Sequence, residues 1–261
     1  MESRLPCRGE SVDVVRVEQL DYAYRRFPWS AARLALRSVT LSVARGELLL
    51  LAGANGAGKS TLLQIVAGLL APSGGRVELF GGSPGAAAAS GRLAWMPEAI
   101  ESRSRLRVHQ QVELAAAFYG WFGATGRERA AQALDEVGLA ALADRRGHTL
   151  SKGERRRVAV ACTLVSSAEL LLLDEPLDGV DPESSEQLLL RLVERAAAGQ
   201  SVLLSSHVLL DAHDGVAGPV RMAVLDRGAL VATGSPRGLL RTADGTPRSF
   251  ATLLREVRAP R

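Results

Sequence analysis

A nine-residue stretch, Gly53-Ala54-Asn55-Gly56-Ala57-Gly58-Lys59-Ser60-Thr61, carries the residue types that hold phosphate. Gly53, Gly58, Lys59 and Ser60 stand at the spacing GxxxxGK[ST]. Glycines lack Cβ, so their backbone N–H groups can converge on phosphate oxygens. A helix opening near Ser60 would turn its positive end toward the same anion. Lys59 can reach the β- and γ-phosphates as a compact ammonium, and the Ser60 hydroxyl can ligate Mg²⁺. The expected ligand is a nucleoside triphosphate with Mg²⁺, cradled from Gly53 to Thr61. Among 32 basic residues only Lys59 and Lys152 are lysines. A thin ammonium stem fits a glycine loop where the broad guanidinium fork does not.

A second stretch, residues 169–175, reads Glu-Leu-Leu-Leu-Leu-Asp-Glu. Its apolar run ends in two adjacent carboxylates. At the carboxyl end of a parallel strand they enter the ligand crevice. Successive strand side chains face opposite ways, so the two acids are expected to have separate tasks. Asp174 is the candidate Mg²⁺ holder, through water. Glu175 is the candidate general base that polarises an attacking water.

These residues need elements that place them. Residues 12–20 and 36–43 alternate in strand fashion, with 22–30 read as turn or loop. Residues 48–52 form a short continuous apolar run, as in a strand buried on both faces. With a helix expected over 60–70, the order is strand, glycine loop, helix. Short strands are expected at 76–80 and 93–96, with 81–89 a loop. Helices follow at 108–122, 128–139 and 155–167. A buried strand at 170–173 precedes a helix over 182–198 opened by Pro182. A strand at 202–205, a helix at 208–216 and a hairpin of 223–225 with 230–232 around Arg227-Gly228 complete the series. Strands alternating with helices predict an α/β fold with a mostly parallel sheet.

Length and composition agree with such a domain. A chain of 261 residues can bury roughly 70–75 % of its surface. Aromatics are only 4 %, so aliphatic residues must build the core. Cys7 and Cys162 lie far apart and outside any CxxC pattern, which predicts reduced thiols; with four histidines they do not supply a zinc site. The polar start Met1–Pro6 does not read as a secretory signal. Apolar runs fall short of the ~20 residues that cross a bilayer, so a membrane role is expected to run through a partner. The net charge of +4 is spread out, dense only at Arg155-Arg156-Arg157, and argues against nucleic acid as partner.

Further motifs carry a family resemblance over about residues 14–240. Leu150-Ser151-Lys152-Gly153-Glu154 resembles the LSGGQ signature of ABC ATPases, with Lys152 for its first glycine and Glu154 for its glutamine. Residues 174–182, Asp-Glu-Pro-Leu-Asp-Gly-Val-Asp-Pro, resemble that family's Walker B and D-loop. Leu203-Leu204-Ser205-Ser206-His207 is similar to its switch-histidine segment, and the motifs follow in the family's order. The resemblance implies a P-loop NTPase core, residues 1–97 and 150–235, with an N-terminal antiparallel β portion. It also implies a helical subdomain, 98–149, inserted in the core, and leaves a tail, 236–261, read as a terminal helix.

By position, the resemblance implies that Tyr24 stacks on adenine, with Tyr22 the alternative. His207 would contact the γ-phosphate near the attacking water, and Asp181 would sit at a subunit interface. Ser151 and Gly153 would bind the γ-phosphate of ATP held by a second copy, since the family works as head-to-tail pairs; a lone monomer should be a poor ATPase. Trp95-Met96-Pro97-Glu98 puts Glu98 where a glutamine is usual, and Glu98 can still ligate Mg²⁺ or its water. Pro97-Glu98 and the Ser-Lys-Gly signature resemble exporters with a separate six-helix permease of the ABC-2 kind. Lys152 lies either beside the partner's γ-phosphate or in solvent. The expectation is therefore an ATPase subunit peripheral to the cytoplasmic face of the membrane. It would pair with a second copy and with a permease docked around residues 98–114. The alternatives are a soluble ABC ATPase uncoupled from transport and a regulatory module that holds ATP without turnover.

Overall fold

A computed structural model describes residues 13–25, 32–98, 104–207, 219–242, 246 and 248–258. Strands β1 (Asp13–Tyr24) and β2 (Arg33–Ala44) pair antiparallel, with Tyr22 opposite Leu36 and Tyr24 opposite Arg33. Strand β3 (Leu48–Ala52) begins a second sheet, whereas β4 (Gly74–Leu79) returns to the free side of β1, antiparallel. The second sheet continues with β5 (Leu93–Met96), β6 (Leu170–Leu173), β7 (Ser201–Ser206), β8 (Val220–Asp226) and β9 (Ala229–Gly234). Its order is β5-β6-β7-β3-β8-β9, parallel throughout except for the β8–β9 hairpin. Five carboxyl ends therefore share one edge, where a ligand crevice belongs.

The core lies on both faces of this sheet. In β3, Leu48, Leu50 and Ala52 pack on one side while Leu49 and Leu51 pack on the other. In β6, Leu171 and Leu173 face the first side and Leu170 and Leu172 the second. Two-sided burial explains why both strands read as unbroken leucine runs instead of alternating. Helix α1 (Lys59–Val66) lies on the side of the antiparallel sheet. Helices α3 (Val108–Phe118), α4 (Gly123–Glu136), α5 (Lys152–Leu164) and α6 (Pro182–Ala197) pack on the other. Short helices α2 (Pro84–Ala89) and α7 (Pro236–Leu240) and the terminal α8 (Phe250–Arg258) complete the described chain.

Several boundaries differ from expectation for local reasons. Tyr22 to Tyr24 continue β1 rather than turning, because β2 supplies partners as far as Arg33. The stretch 81–89 contains α2, since Ser83 caps it by accepting from the Ala86 N–H at 3.3 Å and Pro84 opens it. Helix α1 stops at Val66, followed by Gly68 at φ +76°. Helix α5 starts at Lys152, not 155, because Ser151 and Glu154 form a capping box. The helix expected over 208–216 lies outside the described residues, as does Cys7.

Candidate nucleotide site

The phosphate loop leaves β3 at Gly53 and enters α1 at Lys59. Close packing forces its glycines. A Cβ on Gly53 would stand 2.6 Å from the Leu225 carbonyl oxygen. One on Gly58 would stand 2.7 Å from that of Ala35, at a φ of +107° that side chains avoid. Gly228, in the β8–β9 turn, donates its N–H to the Ala57 carbonyl at 2.9 Å and clamps the loop from below. Gly58 caps α1 without a side chain, so the first N–H groups of the helix remain directed outward for an anion. Lys59, 5 % exposed, folds back over the loop, donating to the carbonyls of Gly53 at 2.8 Å and Ala54 at 3.4 Å.

Strand order puts the acidic end of β6 two strands from this loop, with the end of β7 between. Asp174 is 1 % exposed, and its Oδ1 accepts from Ser205 Oγ at 2.6 Å and Ser60 Oγ at 3.2 Å. Burial raises its carboxyl above the ordinary range, against the pull of the two hydroxyls. Glu175 takes a left-handed backbone, φ +50°, held by its N–H donating to Ser205 Oγ at 2.9 Å. Strain of this kind persists only where the surroundings over-determine it. Oε1 of Glu175 lies 3.1 Å from Lys59 Nζ, while Oε2 accepts from the His207 backbone N–H at 3.1 Å and meets its Nδ1 at 2.8 Å. An ionised carboxylate only accepts, so Nδ1 carries the proton of this contact. The two acids thus make different bonds, but simple alternation is not the cause: β6 ends at Leu173, and the left-handed turn aims Glu175.

Beside the loop, Tyr24, Arg33, Leu34, Ala35, Glu98 and Glu175 help line a cavity of about 260 Å³. Tyr24 is 44 % exposed, and its hydroxyl stands 3.1 Å from Thr61 Oγ1. Tyr22 packs into the antiparallel-sheet core, edge-on to Tyr24 at 4.9 Å. For Mg²⁺, the Ser60 hydroxyl and Asp174 carboxylate face each other, and Glu98 is near enough to perturb Asp174. This donor set fits a cation that takes one or two carboxylates and completes its shell with phosphate and water. Among the described residues no cluster of three or more His, Cys, Asp or Glu could cage a metal alone.

The remaining expected residues sit apart from this cavity. Ser151 caps α5, accepting from the Glu154 N–H at 3.2 Å, and Gly153 is buried against the backbone of Gly179. Asp181 caps α6, accepting from the Ser184 N–H at 2.9 Å. Lys152, read as lying beside the partner's phosphate or in solvent, keeps an exposed side chain whose Nζ pairs with Asp178 Oδ2 at 2.7 Å. Sequence reasoning assigned no role to Ser205, the 0 % exposed hydroxyl that joins the two acids. Its signal was a serine pair ending a buried apolar strand, where an unpartnered hydroxyl would be costly. It also passed over Leu34 and Ala35, and it noted Arg156 only as part of a dense basic cluster.

A glycine loop between a buried parallel strand and a helix, with an acidic strand end two strands away, defines a P-loop NTPase. The chain belongs to the ABC transporter ATP-binding family, whose model, described as "ABC transporter", matches residues 36–178. It is 35 % identical to the cobalt import ATP-binding protein CbiO of Rhodobacter capsulatus, over 87 % of this chain and 80 % of that protein. It is 34 % identical to the macrolide export ATP-binding/permease protein MacB of Chromobacterium violaceum, over 72 % of this chain and only 31 % of MacB. A solved structure described as the ATP binding subunit of an ABC transporter superposes with a TM-score of 0.75 at 28 % identity, covering 94 % of this chain and all of that one. The protein is accordingly an ATP-binding, ATP-hydrolysing cassette of an ABC transporter.

Proposed function

We propose that this cassette powers an exporter whose permease is a separate polypeptide, and that it works at the cytoplasmic face of the membrane as a head-to-tail pair. The observation that carries the partner is an apolar face on the inserted helices. Leu114, Phe118 and Phe122 are 63 %, 86 % and 70 % exposed. Two of the chain's five phenylalanines are thus given to solvent in a protein short of aromatics. An apolar patch of this kind marks an interaction surface. It borders a groove of about 280 Å³ between these helices and the sheet, lined by Pro97, Ala115, Tyr119 and Cys162 among others. An amphipathic cytoplasmic segment of a permease fits such a groove. No helix among the described residues is long and apolar enough to cross a membrane, so the spanning part of the machine is assigned to that partner. Export is favoured by Pro97-Glu98 and the Ser-Lys-Gly signature; the names of MacB and CbiO point in opposite directions.

In the site, the loop N–H groups and Lys59 bind the triphosphate and Tyr24 stacks on the base. Arriving phosphate competes with Glu175 for Lys59, which releases Oε1 of Glu175 to accept a proton from the attacking water. His207 steadies the other oxygen. Mg²⁺, held by Ser60, Asp174 and Glu98, would neutralise charge on the transferring phosphoryl group. Ser151 and Gly153 of the second copy close the site, with Asp181 at the contact. Co-expression with a multi-span permease, sought in the adjacent reading frames, tests the partner. Phe118→Glu with Phe122→Glu should abolish co-purification while the isolated chain still binds ATP; undiminished co-purification would reject this docking face.

A further inference from the structure

The run Arg155-Arg156-Arg157 is not simply a basic surface. Arg156 is 8 % exposed, and a guanidinium so far from water needs partners on its donors. Its Nη1 donates to the Glu98 carbonyl at 2.6 Å, and its Nη2 stands 3.6 Å from Oδ2 of Asp178. That same oxygen receives Lys152 Nζ at 2.7 Å. The Lys152 stem lies across Gly179, where a Cβ would come within 2.9 Å of Lys152 Cδ. Behind it, a Cβ on Gly153 would stand 2.4 Å from the Gly179 carbonyl oxygen. The hydrogen bond from Lys152, then the charges of Lys152, Arg156 and His207, hold the Asp178 carboxyl below the ordinary range. One carboxylate, midway along the chain between Glu175 and Asp181, therefore gathers two cations from the first turns of α5.

We propose that Asp178, gripped by Lys152 and Arg156, is a positioning residue of the ATPase. It fixes the turn bearing Ser151 and Gly153 to the segment bearing Glu175 and, through Arg156, to the backbone at Glu98. The proposal rests on the paired-site reading above. Its consequence is mechanical: the edge where a chain hydrolyses its own ATP and the turn it offers to its partner's phosphate move as one piece. It also assigns Lys152 to Asp178 rather than to phosphate. Lys152 is two-thirds exposed and its pair alone is weak in water. The buried Arg156 shares the same carboxylate, so losing Asp178 strands a charge that cannot simply turn to solvent.

The test uses the full chain, with steady-state kinetics and with light scattering of ATP-driven pairing in a Glu175→Gln background. Asp178→Asn and Arg156→Gln should each lower kcat roughly tenfold and weaken pairing, while KM for ATP changes less than about twofold because the phosphate loop is untouched. Asp178→Glu, which keeps a carboxylate for both cations, should hold kcat and pairing closer to wild type than Asp178→Asn does. If Arg156→Gln fails to fold, Asp178→Asn and Asp178→Glu decide alone. Asp178→Asn that pairs and turns over like wild type overturns the proposal, as does Asp178→Glu no better than Asp178→Asn. So does Lys152→Met raising KM while Asp178→Asn leaves kcat intact, which would put Lys152 on phosphate. A parent chain that stays monomeric with ATP overturns the paired-site reading and this proposal with it.

Discussion

The hydrolytic edge and the signature face use the same residue types in opposite ways. At the edge, Lys59, Asp174, Glu175 and Ser205 are each under a tenth exposed and bonded to one another. On the signature face, Ser151 and Asp181 spend their side-chain oxygens on the N–H groups of their own helices, in the open. The first region is preorganised by its own fold, with donors already aimed and little to reorganise when charge develops. The second is shaped by helix caps and an ion pair. In the proposed pair it acquires its chemical task only against another chain.

The largest effects should break the first region without touching the second. Glu175→Gln keeps the shape but removes the proposed proton acceptor, and single-turnover hydrolysis should fall at least ~100-fold. An unchanged rate would strip Glu175 of its assigned role. Next, Gly58→Ala forces a Cβ to 2.7 Å from the Ala35 carbonyl at φ +107°, whereas Gly56→Ala at φ +80° meets nothing within 4 Å. Calorimetry should show tight ATP binding lost in the first and only weakened in the second, whose cost is backbone strain of roughly 1 kcal/mol. Equal losses would mean that left-handed geometry, not close packing, dictates both glycines. Ser205→Ala takes from the Glu175 N–H its hydroxyl acceptor and leaves Asp174 only the longer bond from Ser60. It should lower unfolding free energy by about 1–3 kcal/mol in chemical denaturation, and hydrolysis more than ATP affinity.

How much of this was legible follows from where each signal lives. The phosphate loop was legible because its glycines answer to steric limits within a few residues, and β3 and β6 because burial on both faces writes an unbroken leucine run. The acids were legible as chemistry but not as geometry. Nothing in Asp174-Glu175 announces the left-handed turn at Glu175, which depends on Ser205 some thirty residues away. The sequence shows Arg155-Arg156-Arg157 as a dense basic cluster but not what surrounds Arg156, because a basic run looks the same whether its neighbours are water or, as here, the Glu98 carbonyl and Asp178. Lys152 raised the same difficulty, since a pairing between α5 and the segment after β6 is set by tertiary packing. The helix start at Lys152 was within reach: Ser151 and Glu154 stand at capping-box spacing.

The sharpest small effect lies in that cap. Ser151→Ala removes the acceptor for the Glu154 N–H while Glu154 can still accept from the Ser151 N–H, presently at 2.6 Å. Half a capping box is lost, about 1 kcal/mol of stability, read as a modest shift in the denaturation midpoint. If the two regions are separate within one chain, the dilute monomer should bind ATP as tightly as before, since Ser151 is absent from the cavity beside the loop. ATP-driven pairing in the Glu175→Gln background should weaken by more than so small a stability loss explains, because in the proposed pair the hydroxyl then lost also faces the partner's phosphate. Reduced ATP affinity in the dilute monomer would show that the signature turn already supports its own chain's loop, and the division between the two regions would fail.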